Sequence, residues 1–451
     1  MLALVVALAT PGAAGSETLR SAVRTAVATN PSIEAVSADT KATMYDLLRL
    51  QGEFQPIVKA TGEAGGQWVD NPLVLSAEDN RDTKLTRQIG LEAEVVLFDG
   101  LRRANLVYAN AARVDGSIFR LLDASETLAL NATEVYIDVY RHLNLQSLAV
   151  RNLARHREIG SQVGELVEGG RLPLSDKLQI DDRIRAAELA LVDIRRAGRD
   201  ADARYRRIVG KKRTGALSVP TMGRIPRTVT ALVETAVSRS FRVRVANTEI
   251  DRAKFDEAVT AAGSQPRITF NAGATQGKNR DGYRGSKSDV FVGLRLNWIL
   301  YKGGRKAERN AMAMRKSKAM SERNVAIREV RELAERSWNS YVANAQRARL
   351  LGAQLQSNQE IVEQYKAEFE AGTRSLLELL EAERAKFDVQ FEKASADASL
   401  AFSSYRVLAA QSRLAEHFGI KAADMTLAPT FQQRAKVSPT AIFKTEIAPL
   451  K

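Results

Sequence analysis

Two periodicities alternate along this chain, and each occurs twice. Residues 17 to 53 carry apolar positions at helical spacing through Leu19, Val23 and Val27, broken or bent at Asn30-Pro31 and ended before Gln55-Pro56. From Ile57 to Val69 the period falls to two: Val58, Ala60, Gly62, Ala64, Gly66 and Trp68 share one side, and Lys59, Thr61, Glu63 and Gln67 the other. Residues 70 to 85 read as a mostly polar loop, after which Ile89, Leu91, Ala93, Val95 and Leu97 alternate with Gln88, Gly90, Glu92 and Glu94. The pattern predicts a β-hairpin with one apolar face. It returns later, with Ile268, Phe270, Ala272 and Ala274 in one strand and Val290, Val292, Leu294, Leu296 and Trp298 in the next, joined by a polar loop from Gln276 to Asp289. Arg267, Thr269, Asn271, Arg295 and Asn297 take the opposite faces.

The two sets align. Thr235-Ala236-Val237 repeats Thr25-Ala26-Val27, and Gln265-Pro266 repeats Gln55-Pro56, both at an offset of 210. Each second strand enters a turn and then a helix, Phe98-Asp99-Gly100-Leu101 in the first copy and Tyr301-Lys302-Gly303-Gly304 in the second, at an offset of 203. The difference falls inside the hairpin, where a length change is tolerated, so the chain is an internal duplication.

The helices that follow run from about residue 101 to 168 and from about 305 to 371, each on the order of 100 Å long. Ile327, Ala334, Tyr341, Ala348, Leu355, Val362 and Phe369 recur at heptad spacing, as do Leu122, Ala129, Tyr136, Leu143 and Val150. These are coiled-coil stripes. The neighbouring seam is mixed (Val330, Ser337, Asn344, Leu351, Asn358, Tyr365), which predicts a flank facing another helix or water. Both helices end in a tip. Gly372-Thr373-Arg374-Ser375 supplies a C-terminal glycine and then an N-cap serine with Glu378 three residues on, as in a capping box. Gly170-Arg171-Leu172-Pro173-Leu174-Ser175-Asp176 echoes it at an offset of 202, and a helix returns from each tip.

Composition narrows the chemistry. In 451 residues, 45% apolar and 27% charged, nothing suggests disorder, and zero cysteines exclude disulfides, thiolate metal sites, cysteine nucleophiles and a lipid-modified cysteine. Residues 1 to 14 resemble the apolar core and small-residue cleavage site of a secretory signal without its basic start. No run is long and apolar enough for a transmembrane helix, so any membrane crossing falls to the strands. The net charge of +14 gathers between Arg195 and Arg213 with only Tyr205 for base stacking, and no nucleic-acid module accompanies it. His142, His156 and His417 are far apart, and no nucleotide, metal or catalytic motif is present; neither cofactor nor catalytic residue is expected.

The four strands could form a small soluble sheet, making the chain a soluble periplasmic coiled-coil adaptor or scaffold. Against that, four strands of about ten to twelve residues suit a bilayer crossing but cannot close a barrel, which needs about eight or more, so closure would take several chains.

The order of duplicated helix, hairpin, Phe98-Asp99-Gly100 or Tyr301-Lys302-Gly303-Gly304 turn, long helix and Gly-x-x-x-Leu tip resembles the TolC-type outer-membrane efflux and secretion family over residues 17 to about 420. The resemblance implies an α+β homotrimer: four strands per chain in a twelve-stranded transmembrane β-barrel, set in outer-membrane lipid and continued by a periplasmic α-helical coiled-coil barrel. It implies a channel-tunnel of a Gram-negative cell for type I protein secretion or multidrug efflux, docked to a periplasmic adaptor and an inner-membrane transporter. The missing lipid-anchor cysteine favours the secretion-type branch. The organisation expected is a signal at 1–14, repeats at 15–213 and 228–420, a linker at 214–227 and a tail at 421–451. The family's acidic entrance ring falls on Glu378 and Glu381, whose mutual repulsion across three chains should raise carboxyl pKa values. The entrance lock falls on Arg374 paired with Asp176 or Ser175. Phe369 stands where well-known members offer a tyrosine hydroxyl.

Overall fold

The computed structural model describes residues 17–70, 81–218, 220, 225–280 and 284–420. The signal-like segment 1–14 and the tail 421–451 lie outside the described residues, as do parts of the hairpin loops and of the 214–227 linker. The elements are α1 (Leu19–Thr29), α2 (Pro31–Gly52), β1 (Ile57–Asp70), β2 (Arg81–Phe98), α3 (Arg102–Glu168) and α4 (Leu174–Val209), then α5 (Val229–Arg239), α6 (Phe241–Ala262), β3 (Arg267–Lys278), β4 (Ser286–Asn297), α7 (Arg305–Glu370), α8 (Leu376–Ala410) and α9 (Leu414–His417). The chain is helix-rich with one four-stranded sheet. α5 and α6 reproduce the bounds of α1 and α2 displaced by 210 at both ends.

The duplicated helix break identifies its own cause. Pro31 follows the first break, yet Phe241 occupies the equivalent place in the second. What the copies share is a polar cap: Ser32 N donates to Asn30 Oδ1 at 3.0 Å, and Val243 N donates to Ser240 Oγ at 3.4 Å. The cap, rather than the proline, starts the second helix. Thr18 and Thr228 cap α1 and α5 in the same way.

The chain divides into two compact units, each drawing on both repeats. One contains the sheet, with residues 38–119 and 244–325. Its strands lie in the order β1-β2-β3-β4, all antiparallel. β2 begins at Arg81, where the polar composition suggested a loop, because pairing with β1 continues to Asp70↔Arg81 and backbone bonds hold the strand whatever its side chains. The register places Val58, Ala93, Ala272 and Val292 in one row and Ala60, Leu91, Ala274 and Val290 in another on the same face. Between them, Lys59, Glu92, Gly273 and Phe291, then Thr61, Gly90, Thr275 and Asp289, point the other way.

Where β2 meets α3, Arg103 is 6% exposed and donates to Asp99 Oδ2 at 2.8 Å, Glu53 O at 3.0 Å and Val96 O at 2.8 Å, with its guanidinium over the Phe54 ring. Gly100 takes φ +67°, and a Cβ there would lie 2.5 Å from Gln265 Cβ. Leu101 also adopts φ +67°, where the 203 offset puts Gly304 at φ +79°. One copy thus gives a leucine the conformation that the other gives a glycine.

The other unit is helical, built from the described parts of residues 1–37, 120–243 and 326–423. Its largest core gathers Leu19, Val23, Tyr136, Tyr205, Val209, Tyr405, Leu414 and Phe418. The Tyr136 hydroxyl sits 2.8 Å from Glu17 O and 2.9 Å from Ser218 O. Of the heptad positions, Ala129, Tyr136, Ala334, Ala348, Val362 and Phe369 are buried, while Val150 is 44% exposed, so the first stripe ends before it. The mixed seam faces α8, with Asn344 donating to Ser399 O at 3.4 Å and Asn358 to Ala385 O at 3.3 Å. The basic run around α4 is partly consumed internally: Arg204 pairs with Asp138 at 2.6 Å, Arg213 with Asp202 at 2.9 Å and Lys211 with the buried Glu17 at 3.2 Å.

Candidate functional site

The two tips are the same backbone made twice. In the first, Gly170 N donates to Val167 O and Arg171 N to Leu166 O; in the second, Gly372 N donates to Phe369 O and Thr373 N to Glu368 O. Each donor and acceptor maps onto its counterpart by 202, and both glycines are left-handed, at φ +71° and +78°. This six-to-one closure satisfies the last carbonyls of α3 and α7. The caps of the return helices differ. Ser375 and Glu378 form a complete capping box on α8, whereas α4 starts from Pro173 without a side-chain bond.

The structure redistributes the predicted charges. Arg374 donates to Glu368 at 2.8 Å and Glu378 at 2.7 Å, and its guanidinium lies 4.1 Å from the centre of the Tyr365 ring. It therefore serves its own hairpin rather than Asp176 or Ser175, because two carboxylates and an aromatic face within one tip hold it there. Among the described residues, Asp176 and Ser175 show no side-chain bond; Asp176 N bonds Pro173 O at 3.1 Å. Within this one chain Glu378 is drawn down to about 2 by the Ser375 hydroxyl, by Arg374 and by the Ser375 backbone N–H. Glu381, half exposed, pairs with Arg183 of α4 at 2.9 Å.

The tips do converge within one chain. Ile159 and Val163 of α3, Ile180 of α4, Phe369 of α7 and Leu376, Leu379 and Leu380 of α8 share one buried cluster. Phe369 sits inside it, which accounts for a ring without a hydroxyl. Beside this cluster lies the contact that sequence reasoning missed: Glu383, 2% exposed, accepts from Arg155 of α3 at 2.7 Å and from Lys386 at 2.6 Å, and Arg155 also reaches Glu158 at 2.9 Å. Burial opposes the Glu383 charge, but Lys386 and Arg155 outweigh it and hold its pKa below the usual carboxylate range. A signal existed, since Glu383 falls four residues after Leu379 and three after Leu380, on the apolar stripe of α8.

A second missed carboxylate is Glu126 of α3. Its two oxygens accept from Leu414 N and Ala415 N at 3.0 and 3.1 Å, fixing the start of α9, and burial pushes its pKa up to about 7. The histidines are spent on local contacts: His142 and His156 bond the carbonyls of Asp138 and Asn152, and His417 packs against Tyr405 and Phe418. Among the described residues no acidic, histidine or cysteine cluster could hold a metal, and no helix is long and apolar enough to cross a membrane.

The sheet is the other candidate surface. Ile89, Leu91, Val290, Val292, Leu294 and Leu296 on its apolar face are 56 to 80% exposed, whereas Lys84, Thr86, Thr269 and Asn271 on the polar face are buried. The polar side is thus buried along the two central strands and exposed on β1 and β4. β1 and β4 each leave one edge unpaired within the chain.

Residues 232–411 match the family described as "Outer membrane efflux protein". Beyond that match, the chain is 23% identical over 354 residues to the outer membrane efflux protein BepC of Brucella suis biovar 1 (strain 1330), covering 76% of each sequence. Its fold is that of solved channels such as CusC, at a TM-score of 0.76, 14% identity and coverage of 87% of this chain and 91% of the other. VceC of Vibrio cholerae matches at 0.74 and 15%, covering 87% and 96%. The fold of those channels extends across both repeats, as the TolC-type resemblance of the duplicated hairpins leads one to expect.

Proposed function

We propose that this chain is one protomer of a homotrimeric outer-membrane export duct, without catalysis of its own. The observation that carries this is the sheet: a largely apolar face exposed to the surroundings, an opposite face whose polar side chains are buried along the central strands, and two edges unpaired among the described residues. In water such a face is a liability and such edges a template for aggregation; in lipid, with each β1 edge paired to the β4 edge of the next copy, both are satisfied. Three copies of four strands make a closed barrel of twelve, of ordinary size for the outer membrane. A soluble scaffold would leave the same face in water, which disfavours that alternative.

The long helix pairs then form the periplasmic conduit, and the tips its entrance. Glu378 and Glu381 from three chains would line that entrance as a cation-favouring ring, with Arg374 fixing Glu378 in its ionised form. Opening requires the hairpins to part, which breaks Arg183–Glu381 and Arg155–Glu383; these pairs take the locking role that the resemblance implies for Arg374 with Asp176 or Ser175. A periplasmic adaptor and an inner-membrane transporter would supply the contact that parts them. Domain bounds follow the repeats, 15–213 and 228–420, with the linker 214–227 between.

The test is direct. The chain should fractionate with outer membranes as a trimer requiring detergent, and conduct in planar bilayers. Recovery as a soluble monomer would sink the proposal. Glu378→Gln with Glu381→Gln should lower cation preference, and unchanged selectivity would remove these residues from the entrance.

A further inference from the structure

Among the residues whose side chains are described, the apolar face of the sheet carries charge in one row. In the row formed by Ala64, Arg87, Lys278 and Ser286, Arg87 of β2 stands directly opposite Lys278 of β3, both exposed. Like charges in cross-strand register repel. Neither has a carboxylate partner among the described residues, although ion pairs are abundant elsewhere on this sheet: Arg267 with Glu94 at 3.6 Å and Arg280 with Glu63 at 2.7 Å. The row beneath, Gly62, Ile89 and Gln276, is neutral, so nothing described on this face balances the pair.

Its position is informative. The row lies at the hairpin-loop end of the strands, opposite the ends that enter the helices. On β3 this face runs ten residues from Ile268 to Lys278, about 34 Å of strand or about 26 Å of height at a tilt of about 40°, which matches the apolar band of an outer-membrane barrel. Arg87 and Lys278 therefore stand at the edge of the band, at headgroup depth, with Leu85 exposed one row further along the same face of β2. Small side chains, Gly62 and Ala64 on β1, leave a recess beside them of about 620 Å³, also lined by Ile89 and Ser286. Further along the same face of β1, Trp68 is 62% exposed, about 13 Å beyond Ala64.

We propose that Arg87 and Lys278 clamp the phosphate of an anionic glycolipid in the leaflet on the hairpin-loop side of the membrane, with its sugar lying toward Trp68. The inference rests on the barrel reading and names the ligand of that barrel's outer face. Two unpaired cations offer charge-assisted bonds to phosphate oxygens, and the indole offers an apolar platform to a sugar ring. The reach from the cations to Trp68 suits a phosphorylated disaccharide better than a single phospholipid headgroup.

The experiment uses the full-length protein purified in neutral detergent, titrated with a lipid bearing a diphosphorylated glucosamine disaccharide and monitored by native mass spectrometry. Parallel titrations use the dephosphorylated glycolipid, phosphatidylglycerol and inorganic phosphate. Wild type should retain the diphosphorylated glycolipid at least about tenfold better than the other probes, and Arg87→Gln with Lys278→Gln should lose that margin. The control Lys59→Gln with Arg295→Gln, on the opposite face, should keep it. Equal retention by the Arg87/Lys278 variant overturns the clamp, as does equal binding of phosphatidylglycerol or free phosphate by wild type. Bilayer conductance is recorded for each protein: a clamp that fails in a conducting protein leaves the duct standing, whereas a wild type that neither inserts nor conducts overturns the barrel reading itself.

Discussion

Replacing Glu383 with glutamine removes one charge and almost no volume from the place where the two hairpins meet. The carboxylate is 2% exposed and accepts from Arg155 at 2.7 Å and Lys386 at 2.6 Å. Each charge-assisted bond is worth about 1.5–3 kcal/mol, and removing one partner from a buried pair costs about 3–5 kcal/mol. Two features lower the figure here: Arg155 retains Glu158 at 2.9 Å, and a glutamine oxygen still accepts one bond. A destabilisation of about 2–3 kcal/mol follows. The sign with pH is fixed by direction. Glu383 is held below its ordinary pKa in the folded chain, so its contribution is present above the unfolded value and is lost as pH falls through the folded one. Thermal unfolding of the purified protein should therefore separate Glu383→Gln from wild type at neutral pH and bring them together in acid. Arg155→Met, combined with Glu383→Gln in a double-mutant cycle, should show coupling of about 1–3 kcal/mol. In planar bilayers the single variants should open more readily. An unfolding temperature unchanged at neutral pH, or a gap that widens in acid, would refute the reasoning.

Glu126 behaves oppositely: its pKa is raised to about 7, so the folded chain binds a proton that the unfolded chain releases at lower pH, and stability should rise as pH drops from about 7 towards 4.5. Glu126→Gln should flatten that rise in thermal unfolding, and a flat wild-type profile would count against it. Arg103→Leu should destabilise the sheet-bearing unit by about 3 kcal/mol, since Val96 O and Glu53 O lose a donor and Asp99 its cation, measurable as earlier proteolysis at the strand ends. Gly100→Ala should cost about 2–4 kcal/mol because its Cβ would lie 2.5 Å from Gln265 Cβ at φ +67°. Leu101→Gly should be neutral or stabilising by up to about 1 kcal/mol, since it gives the first copy the residue that the second already has; a loss like that of Gly100→Ala would refute the strain argument.

The sequence showed most of the fold because the fold is repetitive. Period two and period 3.6 alternate over stretches long enough to be unmistakable, and a duplicated pattern tests itself. What stayed hidden depended on contacts across the chain. Arg155 meets Glu383 from 228 positions away, and Glu126 meets Leu414 from 288, distances at which no spacing rule operates. Arg374 was assigned a partner on the other tip because the motif was read without Tyr365 and Glu368, which lie one and two turns back on its own helix hairpin. The start of β2 is hidden in the sequence because Arg81 to Lys84 is polar, whereas backbone pairing with β1 carries the strand to Arg81.

The open edges of β1 and β4 also say something about the order of events in the life of the molecule. A single copy placed in lipid would leave a row of N–H and C=O groups on each edge without partners, at several kcal/mol per group in the hydrocarbon region. In the proposed barrel a lone chain would therefore have no stable membrane-resident state. Insertion and association must happen together, so the yield of functional duct should depend steeply on local chain concentration, and chains that arrive alone are substrates for proteases.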